Sequence, residues 1–256
     1  MTPSSDSGAW RKAWAVFVKD ITSEFRTRYA LSAVLLFAVT ALAVVSFSVS
    51  PYSLEPDAQS AFLWTVLFFS AMTGLARSFV REEESRTVLA LRLSAAPDDV
   101  YLGKLMFNAA LQGAVALVVV PLFLVLMDIT PVAPGVLAAS AALGTLALAA
   151  SSTIVAAIVS KAKSKGALFA VLAFPISVPG LASAVRSTTV ALRGAGGAGT
   201  AVAVGVAGAA ARTTGVAVAR SASAMAAARG DLLALTAYSV LMIAASLLLF
   251  DFVWNE

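Results

Sequence analysis

The sequence predicts an all-α, polytopic membrane protein with six transmembrane helices, preceded by an amphipathic interfacial helix. Its composition and the grouping of its apolar residues point there. Of 256 residues, 60% are hydrophobic and 12% charged, whereas soluble domains average about 45–50% and about 25%. The apolar residues gather into six runs, and a bilayer core of about 30 Å needs ~20 of them per helical span. There is no Cys and no His, which excludes a disulfide scaffold, a Cys/His metal centre and a catalytic Cys or His. The net charge of +4 is read as topology charge and not as a nucleic-acid footprint, because membrane proteins keep Lys and Arg in cytoplasmic loops.

Residues 1–28 form the cytoplasmic N-terminus. Within them Trp10, Trp14, Phe17, Val18, Ile21 and Phe25 recur at helical spacing on one face. Arg11, Lys12, Lys19, Asp20, Glu24 and Arg26 take the other. Such a helix lies in the membrane interface, with Trp at headgroup depth and basic groups toward anionic lipid. A plain anchor and a partner-contacting helix both predict this pattern.

The transmembrane domain is residues 29–256. Its spans fall near 29–49, 61–76, 105–127, 135–159, 167–185 and 232–254, the second being short. Ala41-Leu42-Ala43 superficially fits a signal-peptide cleavage site, but the segment before it is too long and the apolar run continues past it. Five Lys/Arg precede span 1, five lie in the 2–3 loop and three in the 4–5 loop. The 1–2 and 3–4 loops have none, so both termini are expected in the cytoplasm. The other five Arg lie in residues 186–231, an Ala/Gly-rich stretch read as an extracytoplasmic insertion. Its uncharged run 194–211 is long enough to tempt a seventh span, but Ala and Gly make it weakly hydrophobic. Pro175 and Pro179 interrupt span 5, and membrane helices tolerate such kinks when neighbours satisfy the freed carbonyls. A gating hinge and a static shape both fit them.

Residues 81–104 carry the strongest functional pattern. Helix formers fill 82–93, and Glu82, Glu83 and Glu84 sit at the end where the helix dipole favours negative charge. Val88, Leu91 and Ala95 share one face, with Leu89 and Leu93 beside it and Arg86 among the charged residues. Pro97 stops this helix, Asp98 is placed to cap the next, and that helix runs through Gly103 and Lys104 into span 3. A short charged helix tied to two spans suits the docking of a soluble partner; a solvated loop would show the same charges.

The cluster Glu82–Glu83–Glu84, the run Leu89-x-x-x-Leu93-Ser94-x-x-Pro97 and Leu102-Gly103-Lys104 entering a span resemble the coupling segment of type-2 ABC exporter permeases. Within that class the sequence is most similar to the CcmB-type permease, the haem-exporter B subunit of cytochrome c maturation. The resemblance covers roughly residues 9–185, with a looser match in the last span. Ala173-Phe174-Pro175-Ile176-Ser177-Val178-Pro179 is close to that family's span 5 pattern, whereas residues 186–231 depart from it.

The resemblance implies an inner-membrane permease subunit acting in haem export or delivery for cytochrome c biogenesis. It implies a separate ABC ATP-binding subunit docking on residues 82–93, other cytochrome c maturation membrane proteins as partners, and a homodimer of permease subunits. The chain lacks a Gly-x-x-x-x-Gly-Lys-[Ser/Thr] loop, so ATP belongs to the partner and the chain is not itself an enzyme. Without His or Cys, haem is expected as a transported or handled ligand, not one bound tightly here, and no metal site is expected. An exporter permease for lipid, drug or polysaccharide, an ion-coupled carrier and a non-transporting scaffold are the alternatives. The carrier is disfavoured because the first five spans contain no charge.

Overall fold

A computed structural model describes residues 6–27, 29–48, 54–75, 91, 93, 95–160, 165–193 and 209–255. Among them are seven α-helices: α1 (Asp6–Thr27), α2 (Tyr29–Ser48), α3 (Pro56–Leu75), α4 (Pro97–Leu126), α5 (Pro134–Ser160), α6 (Lys165–Arg193) and α7 (Ala209–Asn255). Five of these, α2, α4, α5, α6 and α7, are long and apolar enough to cross a membrane. The short run 61–76 falls in α3 as far as Leu75, the last described residue there; α3 is not among the five and carries Asp57 and Gln59 in its first turn.

The centre of the bundle is α5. Its span is 78% buried, against 17% for the spans of α2 and α7. The residues explain this. Ser140, Gly144, Thr145, Ser151, Ser152 and Thr153 are small and all buried, and small residues let membrane helices approach closely where hydrophobicity gives no drive between them. A Cβ on Gly144 would overlap the ring of Trp64 from α3. That ring is fully buried, and its Nε1 donates a 2.9 Å hydrogen bond to Thr188 Oγ1 of α6.

The two ends of the bundle are distinct. At one end Val16 of α1, Val100 and Tyr101 of α4, Ile154 of α5, Phe169 of α6 and Phe250 and Trp254 of α7 form one buried cluster. The first and last helices therefore meet at the same end. At the other end Ala133, Val136, Ala191, Ala224 and Ala228 pack together, and the Ala133 N–H donates to the Ala191 carbonyl at 3.1 Å. Here Arg193 pairs with Asp57 at 2.8 Å and with Glu55 at 3.3 Å, and Arg186 pairs with Asp231 at 2.7 Å.

Several bounds differ from the sequence expectation. The span expected at 105–127 begins eight residues earlier, at Pro97. The stretch 186–231, read as an insertion between spans, is helical at both of its ends: α6 continues to Arg193 and α7 begins at Ala209. Its Ala content supports helix directly, since Ala has the best intrinsic helix propensity. Of the run 194–211 weighed as a seventh span, residues 194–208 lie outside the described residues. At 47 residues, α7 is about 70 Å long, more than twice the ~30 Å hydrocarbon core.

Candidate functional site

The first turns of α4 are where the sequence placed its coupling segment. Ala96 is the N-cap, with extended backbone (φ −67°, ψ 156°) and no side-chain cap bond, and Pro97 opens the helix. This corrects the capping role expected of Asp98. Proline takes the first helical position because that N–H has no partner there and its fixed φ suits the helix. Asp98 and Asp99 then lie in the first turn, where the dipole favours them, Asp98 exposed and Asp99 buried. The Ala96 carbonyl accepts the first helical bond from Val100 at 3.1 Å.

Of the segment before it, Leu91 and Leu93 are described. They diverge. Leu91 is 8% exposed and joins the buried cluster with Val16, Tyr101 and Phe250. Leu93 is 84% exposed. Glu82, Glu83, Glu84, Arg86, Val88 and Leu89 lie outside the described residues.

Gly103 and Lys104 are brought against α1. A Cβ on Gly103 would stand 2.6 Å from Val16 Cβ and 2.7 Å from the Ala13 carbonyl oxygen. Lys104 is 2% exposed, and its Nζ lies 2.8 Å from Asp20 Oδ2. Asp20 Oδ1 is also 3.1 Å from the exposed Lys19. Glu24, on the same side of α1, accepts a 2.9 Å bond from the Leu31 N–H in the first turn of α2, satisfying one of the donors a helix start leaves free. So α1 has three faces. Ala13, Val16, Asp20 and Glu24 are turned to the protein; Trp10, Trp14, Val18 and Phe25 are exposed and apolar; Arg11, Lys12, Lys19 and Arg26 are exposed and basic. Phe17 is half-buried, its ring 5.0 Å from that of Trp14.

Deeper in the bundle, α4 and α5 carry a polar ladder. Asn108, fully buried, donates to Thr153 Oγ1 at 2.8 Å, and Gln112 one turn on donates to the Leu67 carbonyl of α3 at 2.9 Å. Ser151 and Ser177 lie 3.2 Å apart across α5 and α6. Pro175 and Pro179 are both inside α6. Between them the Ile176 carbonyl accepts a 2.6 Å bond from the Tyr238 hydroxyl of α7. Gly180 lets the Tyr238 ring approach, since a Cβ there would be 2.9 Å from it.

Sequence reasoning missed Asp20, Glu24, Trp64 and Tyr238 as structural contacts. The Asn108 and Gln112 pair offered a signal, being two amides four residues apart inside an apolar run. A bundle of long apolar helices around a central helix of small residues, with several interior polar groups paired across helices, defines a multi-pass helical membrane protein. The particular family follows from comparison with known proteins: the CcmB protein family matches residues 11–230, and the chain belongs to it. The chain is thus a haem-exporter, cytochrome c-biogenesis permease of an ABC system that has an ATP-binding partner. The match runs past residue 185 through residues 186–230, which corrects the expectation that the stretch 186–231 departs from the family. No curated protein matches the chain.

Proposed function

We propose that the chain crosses the inner membrane six times, with both termini in the cytoplasm, as one half of a homodimeric permease. A separate ATP-binding subunit docks on residues 82–93, and its closure drives spans 2 and 3. The carrying observation is the seat of Leu91, buried in a cluster that joins α1, α4, α5, α6 and α7. A displacement arriving at the end of the segment passes directly into five helices. The exposed Leu93 and the acidic residues Glu82, Glu83 and Glu84 offer the partner an apolar anchor and a charged rim, the usual division between affinity and encounter.

In this reading α3 is the sixth span, held by Leu63, Trp64 and Leu67 in the main core. The meeting of Val16 with Trp254 in one cluster supports termini on one side. The α1 helix lies in the interface with its exposed Trp residues in lipid. Haem is the substrate handled with other cytochrome c maturation membrane proteins, and the chain holds none tightly. Two of its six methionines are taken up by packing, Met127 buried in the main apolar core and Met72 beside it.

Affinity purification in mild detergent, with identification of every copurifying chain, tests the reading. It expects an ATP-binding subunit together with haem-handling membrane proteins. Copurification with polysaccharide- or lipid-assembly proteins would favour the other exporter class. A stable chain without any ATPase would contradict the reading.

A further inference from the structure

We propose that the Asp20–Lys104 ion pair is a positioning latch that makes α1 and the first turns of α4 move as one body. The coupling stroke is thereby delivered to a helix lying on the lipid surface. The inference rests on residues 81–104 being the coupling segment. Lys104 is the last residue of that segment, two turns after Pro97, and is buried against a carboxylate 84 positions earlier in the chain. A buried ion pair is a poor source of net stability, because desolvation offsets its attraction, but it penalises every arrangement that separates the charges. Gly103 adds a steric restraint. It brings the α4 backbone so close to Ala13 and Val16 that even a Cβ at this position would clash. Val16 in turn shares the buried cluster with Leu91. Push, latch and load are therefore contiguous: the end of the coupling segment, the α4 turns and α1. On its free side α1 presents Arg11, Lys12, Lys19 and Arg26, all exposed, a surface suited to anionic headgroups. Asp20 links the two sides, since it also contacts Lys19.

The native chain has no Cys, so paired nitroxide labels can be placed cleanly at Arg11→Cys and Asp98→Cys, both exposed. Their separation is measured in the complex with its ATP-binding subunit, nucleotide-free and trapped with ADP and vanadate. The latch predicts one unchanged distance distribution in both states, broadening in Asp20→Asn and Lys104→Gln. It also predicts that these variants keep the ATPase bound and hydrolysing while holo-cytochrome c formed per ATP falls roughly tenfold, the scale of a typical coupling energy. A separation that changes with nucleotide in the parent would overturn the latch. So would variants whose yield per ATP stays parental even if total yield falls with the amount of folded protein. Failure of the coupling-segment reading shows separately: a Leu93→Asp complex would then retain its ATPase like the parent.

Discussion

Trp64, Gly144 and Thr188 hold three helices together, and they separate two kinds of contact. The Trp64–Thr188 hydrogen bond joins α3 to α6. Such bonds average only about 0.6 kcal/mol in a membrane protein, because the unfolded chain also finds partners. The Trp64–Gly144 contact leaves no room for a side chain, and overpacking costs about 1–3 kcal/mol. Gly144→Val is therefore expected to destabilise more than Thr188→Val, measured by thermal unfolding in detergent. Equal losses would mean that packing does not dominate here. Leu91 and Leu93 make a similar pair, two positions apart with opposite fates. Leu91→Asp places a charge in the chain's own core and should lower stability. Leu93→Asp should leave stability intact and weaken copurification of the ATPase, making the two variants separable by unfolding and pull-down. The sequence showed both leucines as candidate anchors. It did not show which is taken by the chain itself, because α1 and α7 complete that cluster from opposite ends of the chain.

At the scale of elements, α1 shows what helical periodicity can and cannot reveal. Its Trp/Phe stripe was legible, because the spacing of Trp10, Trp14 and Phe25 fixes them on one face. Its third face was not, because Asp20 and Glu24 read as ordinary polar residues until α4 and α2 are docked on them. The molecule has four Trp. Trp64 and Trp254 are buried, whereas Trp10 and Trp14 are more than half exposed. In a Trp64→Phe, Trp254→Phe background, lipid-borne quenchers near the headgroup should therefore quench the remaining fluorescence more than quenchers near the bilayer centre. The reverse order would place α1 away from the interface. The proline helix α6 calls for a different experiment. Tyr238→Phe removes the hydroxyl that satisfies the Ile176 carbonyl, a bond worth about 0.5–1.5 kcal/mol. If the prolines set a static shape, this variant loses stability while holo-cytochrome c per ATP is unchanged. A changed yield per ATP would make α6 a moving part.

For the whole molecule, composition and apolar runs revealed the helical membrane class, and the charge pattern suggested an orientation. The five Arg of residues 186–231 were the discordant charges in that pattern. The structure pairs two of them, Arg186 with Asp231 and Arg193 with Glu55 and Asp57, so acidic partners offset part of that positive charge. Those partners are far apart in sequence, which is why loop counting did not find them. The extent of α7 was also hidden, because an Ala/Gly-rich run has little hydrophobic contrast to mark a helix. The central claim is that an ATP-binding subunit docks on residues 82–93. It is tested most directly by photocrosslinking from Leu93→Cys, with Met225→Cys at the opposite end of the bundle as control; both native residues are exposed. The account predicts an ATP-binding subunit crosslinked from position 93 and not from position 225. An intact complex whose ATPase crosslinks from 225, or from neither position, would contradict it.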